Sequence, residues 1–288
     1  AVNVLNQDAT QGPVFLGLPE DRNNESEGIR IMVGYYGWGT HNIANYDNYR
    51  KDDVIANTTY DDATGTATTT FALSDKLTTY NASKLAVGII GVPQVNGTMV
   101  AVNSVEKDFV LADGTLEDRG QIVDNANCNA CHDNIVMHTG DTHGHTTVGN
   151  VNACIFCHNT SSASGHYAQQ SRSIDSYLHA IHTFPDEPEF VFPMFTTLNC
   201  EACHVSGQYN VPDQSQALGS VSDAGDDDVT VGPASRACGS CHRAQDLRVD
   251  DAGALDAINA HTQQNGYRVP LSVAPFVDVM NKIFELLQ

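Results

Sequence analysis

All eight cysteines of this 288-residue chain fall in copies of one pattern, Cys-x-x-Cys-His: Cys128-Asn129-Ala130-Cys131-His132, Cys154-Ile155-Phe156-Cys157-His158, Cys200-Glu201-Ala202-Cys203-His204 and Cys238-Gly239-Ser240-Cys241-His242. At the Cys and His frequencies of the chain, chance supplies only about one hundredth of such a motif. Two thiols separated by two residues on a tight turn can both reach the vinyl groups of one porphyrin and form thioethers. The His that follows is carried under the ring to bind iron from the proximal side. Paired Cys-x-x-Cys units also make tetrahedral zinc sites, but zinc has no need of a His after every second cysteine. No alternating strand and helix pattern surrounds any copy, which argues against a thioredoxin-like redox pair. The expectation is four covalently attached haem c groups, with His132, His158, His204 and His242 as proximal ligands. The unequal intervals make an array rather than a strict tandem repeat. With every thiol used, no disulfide remains to help the fold.

Four irons need up to four further ligands. Eight histidines remain: His41, His138, His143, His145, His166, His179, His182 and His261. The five methionines, Met32, Met99, Met137, Met194 and Met280, show no matching placement. Met137 and Met194 read as adaptable apolar filler against porphyrin. Bis-histidine ligation is therefore expected at all four irons. In "SIDSYLHAIHTF", His179 and His182 stand three apart on one helical face and diverge by about 60°, a geometry that suits two neighbouring irons better than one.

The elements that must hold these groups divide the chain. Residues 1–120 lack cysteine and are rich in β-branched and aromatic residues broken by Gly, Asn and Asp turns, as in "GIRIMVGYYGWG" and "LAVGIIGVPQVNGTMVAVNSV". The "VNGT" between two apolar runs is a hairpin signal. An N-terminal all-β barrel or sandwich is expected over 1–120, followed over 121–288 by a tetrahaem domain of low secondary-structure content with short α-helices. The β half is a scaffold shielding one side of the haems or a docking surface, and His41 reads as an ordinary loop histidine. His143, His145 and His166 lie in loops beside the motifs and are alternative distal ligands. Asp226, Asp227 and Asp228 read as a solvated turn rather than a calcium site. Near the end, Phe276, Val277, Met280, Ile283, Phe284 and Leu287 recur at helical spacing, which predicts a C-terminal helix over about 275–287.

Acidic residues number 35 against 14 Lys plus Arg, a net charge of −21. That balance argues against nucleic acid or an anionic membrane as partner, since both need basic surface. No run approaches the roughly 18 to 20 apolar residues of a membrane span, and no signal pattern opens the chain, so any export signal is expected to have been removed. Covalent haem attachment takes place outside the bacterial cytoplasm, which predicts a secreted, extracellular or cell-surface protein.

The stretches "DRGQIVDNANCNACH", "CHDNIVMHTG", "YLHAIH", "NCEACHVSGQYNVPDQS" and "ACGSCH" followed by "INAHTQQNGY" together resemble the OmcA/MtrC-type outer-surface multihaem cytochromes of metal-respiring bacteria over about residues 117–268. The likeness is to one haem module of those larger proteins with the β-domain before it, which implies a Greek-key barrel in the N-terminal half. It also implies distal ligation by His138, His179, His182 and His261. Two departures stand out: family modules typically hold five haems rather than four, and this chain has no spare cysteine for a lipid anchor.

With both axial positions filled, no iron is open to substrate, so the expected function is conduction and not catalysis. The chain is expected to carry electrons along bis-histidine haems to metal oxides, other cytochromes or soluble electron shuttles. A homopolymeric cytochrome filament, or nanowire, is the favoured form. The alternatives are a monomeric cell-surface carrier and a multihaem reductase with one open haem.

Overall fold

The computed structural model describes residues 2–3, 28–61, 63–92, 94–95, 98–99, 103–117, 121–132, 134–137, 147–161, 173–183, 200–205, 218–222, 229–232, 235, 257 and 260–264. Their elements run β1 (Val2–Asn3), β2 (Gly28–Tyr36), β3 (Ile43–Tyr49), α1 (Lys51–Ala56), β4 (Thr58–Asp61), β5 (Thr66–Thr69), α2 (Lys76–Thr79), β6 (Lys84–Val92), β7 (Gln94–Val95), β8 (Thr98–Met99) and β9 (Val105–Val110). They continue with α3 (Asn125–His132), β10 (Val136–Met137), β11 (Thr147–Val148), α4 (Ile174–Thr183), β12 (Ser220–Ser222) and β13 (Val229–Val231). Short 3-10 turns lie at Val151–Phe156 and Cys200–Ala202.

The β-rich half centres on a four-stranded antiparallel sheet in the order β3-β2-β6-β9, beside a three-stranded sheet β1-β5-β4. The expected hairpin is present, with Gln94 opposite Met99 and Val95 opposite Thr98. Strands β2 and β6 are apolar almost throughout, which is the pattern of strands covered on both faces. Register explains how. Met32 lies opposite Gly88, Gly34 opposite Ala86, and Val33 opposite Val87. Successive side chains point to opposite faces. On one face Val33, Tyr35 and Leu85 bury against Tyr49, Leu77 and Leu111. There Asp47 accepts hydrogen bonds from Tyr35 Oη at 2.6 Å and Lys76 Nζ at 2.5 Å. Burial, and then the bond to Asp47, pushes the Tyr35 phenol up to about 12.

The other face does not close on β-strands. Met32, Tyr36, Ile43, Ala86 and Ile90 form one buried cluster with Ala153, Ile155 and Phe156 of the second Cys-x-x-Cys-His segment. The cysteine-free half and the motif-bearing half therefore share this core. Phe156 is fully buried, and it fits because two strand residues lack a Cβ. A methyl at Gly88 would lie 2.4 Å from Phe156 Cε2, and one at Gly34 would lie 3.1 Å from Phe156 Cδ1 and 2.4 Å from Ile43 Cδ1. Burying a Phe side chain contributes about 1.5–3 kcal/mol, so the β-sheet acts as a seat for the second motif.

No helix among the described residues is long and apolar enough to cross a membrane.

Candidate functional site

Each described motif is fixed by a different local device. The first lies on α3, which Asp124 caps: its Oδ1 accepts from Ala126 N at 2.8 Å, and its carbonyl accepts from Asn127 and Cys128. A capping carboxylate at this position satisfies a backbone donor that would otherwise lack a partner. His132 falls in the last turn of that helix. The second motif occupies the 3-10 turn capped by Asn150, whose side chain accepts from Asn152 N at 3.0 Å and donates to Ser104 O at 3.0 Å. Asn125 Oδ1 accepts from Val151 N at 2.9 Å, which joins the first motif to the second.

The third motif is stitched to the first rather than to its sequence neighbour. Val123 and His204 form an antiparallel bridge, with Asp124 N donating to Cys203 O at 2.9 Å and Val205 N donating to Ile122 O at 3.1 Å. The two motifs approach so closely that the Cys128 and Cys203 thiols perturb each other. Their proximity holds Cys203 below its usual range and, with burial, pushes Cys128 up. Cys131 and Cys200 are exposed. In the second motif both thiols are half-buried, and burial, reinforced by Cys157, pushes Cys154 up to about 12.

Helix α4 joins all three. Its His182 ring lies 6.0 Å, centroid to centroid, from that of His132, at an interplanar angle of 87°. Its His179 ring lies 6.0 Å from that of His204, at 20°. A metal–imidazole bond is about 2.0–2.1 Å and the ring centre is about 1.1 Å beyond the nitrogen, so two imidazoles on opposite sides of one metal have centroids about 6.2 Å apart. Both pairs stand at that spacing.

Protonation also suits ligation. His182 Nδ1 donates to Leu178 O at 2.8 Å, because a carbonyl can only accept, and this leaves Nε2 with its lone pair. Burial, followed by the nearby His204 and His182, outweighs Asp175 and holds His179 below its usual range, in the neutral form that binds metal. Among the described residues, the buried Nδ1 of His204 has no hydrogen-bond partner. Exposed thiols at the edge and paired imidazoles at the axis are the donor set that a covalently attached haem needs.

The second motif differs. His158 is 7% exposed, and its ring packs 4.6 Å from that of Tyr177, again on α4. At about 100° per residue, Tyr177 points about 200° from His179, so α4 offers one side to the second motif and another to the first and third. Tyr177 is a residue that the sequence reading missed; its only signal is membership of the same short helix as the His-x-x-His pair.

His261 is exposed, within helical residues 260–264. Its neighbour Thr262 shares a buried hydrogen bond of 3.0 Å with Ser235, three residues before Cys238. This tie brings the His261 segment to the approach of the fourth motif. Cys238, Cys241, His242, His138, His143, His145, His166, Met194, Asp226, Asp227, Asp228 and the expected helix over 275–287 lie outside the described residues. Met137 is 44% exposed, while Met32 is core. His41 lies in the bend between β2 and β3, beside a small cleft that Tyr36, Lys84, Asp108 and Glu117 also line.

Residues 120–273 match the family described as "Outer membrane cytochrome MtrC/MtrF-like, domains II/IV". The crystal structure of MtrC from Shewanella baltica OS185 aligns with a TM-score of 0.44 and 18% identity, covering 75% of this chain and 33% of that one. The chain thus spans about a third of the length of that protein. No curated protein matches.

Proposed function

Because the chain belongs to the MtrC/MtrF-like family of outer membrane cytochromes, a haem-binding family of the cell surface, we propose that it conducts electrons through four bis-histidine haem c centres toward acceptors outside the cell. The observation that carries this reading is the pair of imidazole couples, His132 with His182 and His179 with His204, each at 6.0 Å. When bound, each haem supplies a one-electron couple at its iron. The protein's part is to hold, space and shield. His182 with His132, and His179 with His204, would hold the irons of the first and third centres from both sides and leave neither open to substrate. By the family resemblance, His138 and His261 would do the same for the other two.

The stitching supports a neighbourly placement of the first and third centres. The first and third motifs share a backbone bridge, so haems attached there would lie close together, while the second motif stands across α4 on the β-sheet. Electrons would pass between those two centres directly. The chain carries electrons and does not turn over a substrate. The sheets of residues 1–120 are read as the Greek-key domain that precedes a haem module, and residues 121–288 as that module.

Within this reading, the onward acceptor is another copy of the chain in a filament, with metal oxides, other cytochromes or soluble shuttles at its end. The apolar residues from Phe276 to Leu287 recur at helical spacing in the sequence, and a helix so made would need cover, from its own chain or from a neighbouring copy. The decisive experiment is intact mass together with the visible spectrum of the purified protein. Four haem additions, a wholly low-spin oxidised spectrum and no carbon monoxide binding when reduced are expected. Fewer additions, or one carbon monoxide bound per native chain, would overturn conduction through four closed centres. Electron microscopy at high concentration tests the filament, and monomers alone would refute it.

A further inference from the structure

We propose that Tyr177 is a positioning residue for the second haem centre: its ring sets the rotation of the His158 imidazole. This rests on the reading of His158 as an iron ligand.

The backbone of His158 is held at both ends. Its N–H donates to Cys154 O at 2.9 Å, and its carbonyl accepts from Ile174 N, the first residue of α4, at 3.1 Å. With the backbone fixed, the side-chain torsions alone decide how the imidazole plane lies. The ring is buried, and the Tyr177 ring stands 4.6 Å from it at 43°. A flat, rigid neighbour at van der Waals range restricts those torsions where a flexible side chain would not.

Tyr177 is itself firmly placed. Its N–H donates to Ser173 O at 2.9 Å, Ser173 and Ser176 are buried, and Ile174 packs against the sheet cluster that holds Phe156. The second motif is thus gripped from two sides, by the β-sheet through Phe156 and by α4 through Tyr177. The orientation of an axial imidazole over the four porphyrin nitrogens splits the iron d orbitals, so fixing that plane fixes the electronic character of the centre. Because Tyr177 shares α4 with His179 and His182, one helix sets the ligand geometry of three centres.

The test uses the full chain with haem attached and compares Tyr177→Phe, Tyr177→Leu and Tyr177→Trp by electron paramagnetic resonance of the oxidised protein. Peptide mass confirms haem at Cys154 and Cys157, and thermal unfolding runs in parallel. The Phe variant keeps the flat face and should reproduce the parent spectrum. The Leu and Trp variants, which remove or enlarge that face, should shift one low-spin ferric signal. The shifted signal should be neither of those lost in His179→Ala and His182→Ala.

If the Leu and Trp variants leave every signal in place, even with lowered melting temperatures, Tyr177 is merely structural and the proposal falls. Loss of haem at Cys154 and Cys157 in the Phe variant would also overturn it, since Phe retains the ring contact. A parent protein without low-spin ferric signals would refute the electron-carrier reading instead, and is seen before any variant is made.

Discussion

Replacing Gly88 with Ala should unseat the second motif, and the cost can be worked from the sheet. The new methyl would lie 2.4 Å from Phe156 Cε2 and 2.7 Å from Cζ. Carbon pairs rest at about 3.5–4.0 Å, so one partner must retreat by about 1 Å. The strand cannot, because Gly88 is held in register between Met32 on one side and Glu106 on the other. The Phe156 ring must move, at about 1–3 kcal/mol for overpacking. Removing the ring by Phe156→Ala should cost about 3–5 kcal/mol. Without the ring, however, Ala in a strand is better than Gly by about 0.5–1 kcal/mol, so Gly88→Ala should become neutral or stabilising in the Phe156→Ala background. The double-mutant cycle should therefore show a coupling of about 2–3 kcal/mol. Urea unfolding followed by circular dichroism measures it, and the mass of the peptide containing Cys154 and Cys157 reports haem loading in each variant. Costs that add within about 0.5 kcal/mol would refute the claim that Phe156 is seated in the space left by Gly88.

The paired imidazoles make a countable prediction. His179→Ala and His182→Ala should each open one iron, and the double variant should bind two carbon monoxide molecules per reduced chain; one molecule would mean that both histidines serve a single centre. The two couples should also differ in electron paramagnetic resonance, because the planes of His132 and His182 cross at 87° while those of His179 and His204 lie within 20°. A His182→Ala variant that lost a signal of the near-parallel type would contradict this. On the far face of the sheet, burial alone would raise Asp47, but the bonds from Lys76 and Tyr35 outweigh it and leave its pKa lowered. A lowered carboxylate stabilises the fold above its unfolded pKa, and that contribution fades as pH falls through the folded value. Lys76→Met should therefore cost about 1–2 kcal/mol at pH 7, and the gap from the parent should narrow under acid. Urea unfolding at both pH values would expose the error if the gap stayed constant.

The chemistry was legible in the chain because covalent attachment is a local demand. Two thiols and a ligand for one porphyrin must sit within five residues, so Cys-x-x-Cys-His asks for a covalent haem before any fold is known. The β character of the first half was equally legible, from strands such as "GIRIMVGYY" and the "VNGT" turn. So was the divergence of His179 from His182, which is a property of the helix alone.

What those histidines face was a matter for the tertiary structure. Nothing local to "YLHAIH" says that His182 meets a ring 50 residues earlier and His179 one 25 residues later, or that Tyr177 meets His158 on the other side. The apolar pair Ile155–Phe156 was the one sequence sign that the second motif is buried, since Asn-Ala, Glu-Ala and Gly-Ser fill the same positions elsewhere. Its seat depends on Gly34 and Gly88, more than sixty residues away. Motif spacing fixes which atoms can bind a haem, because bond lengths act over a few residues. Which motifs become neighbours is fixed by the long-range packing of α4 and the sheet.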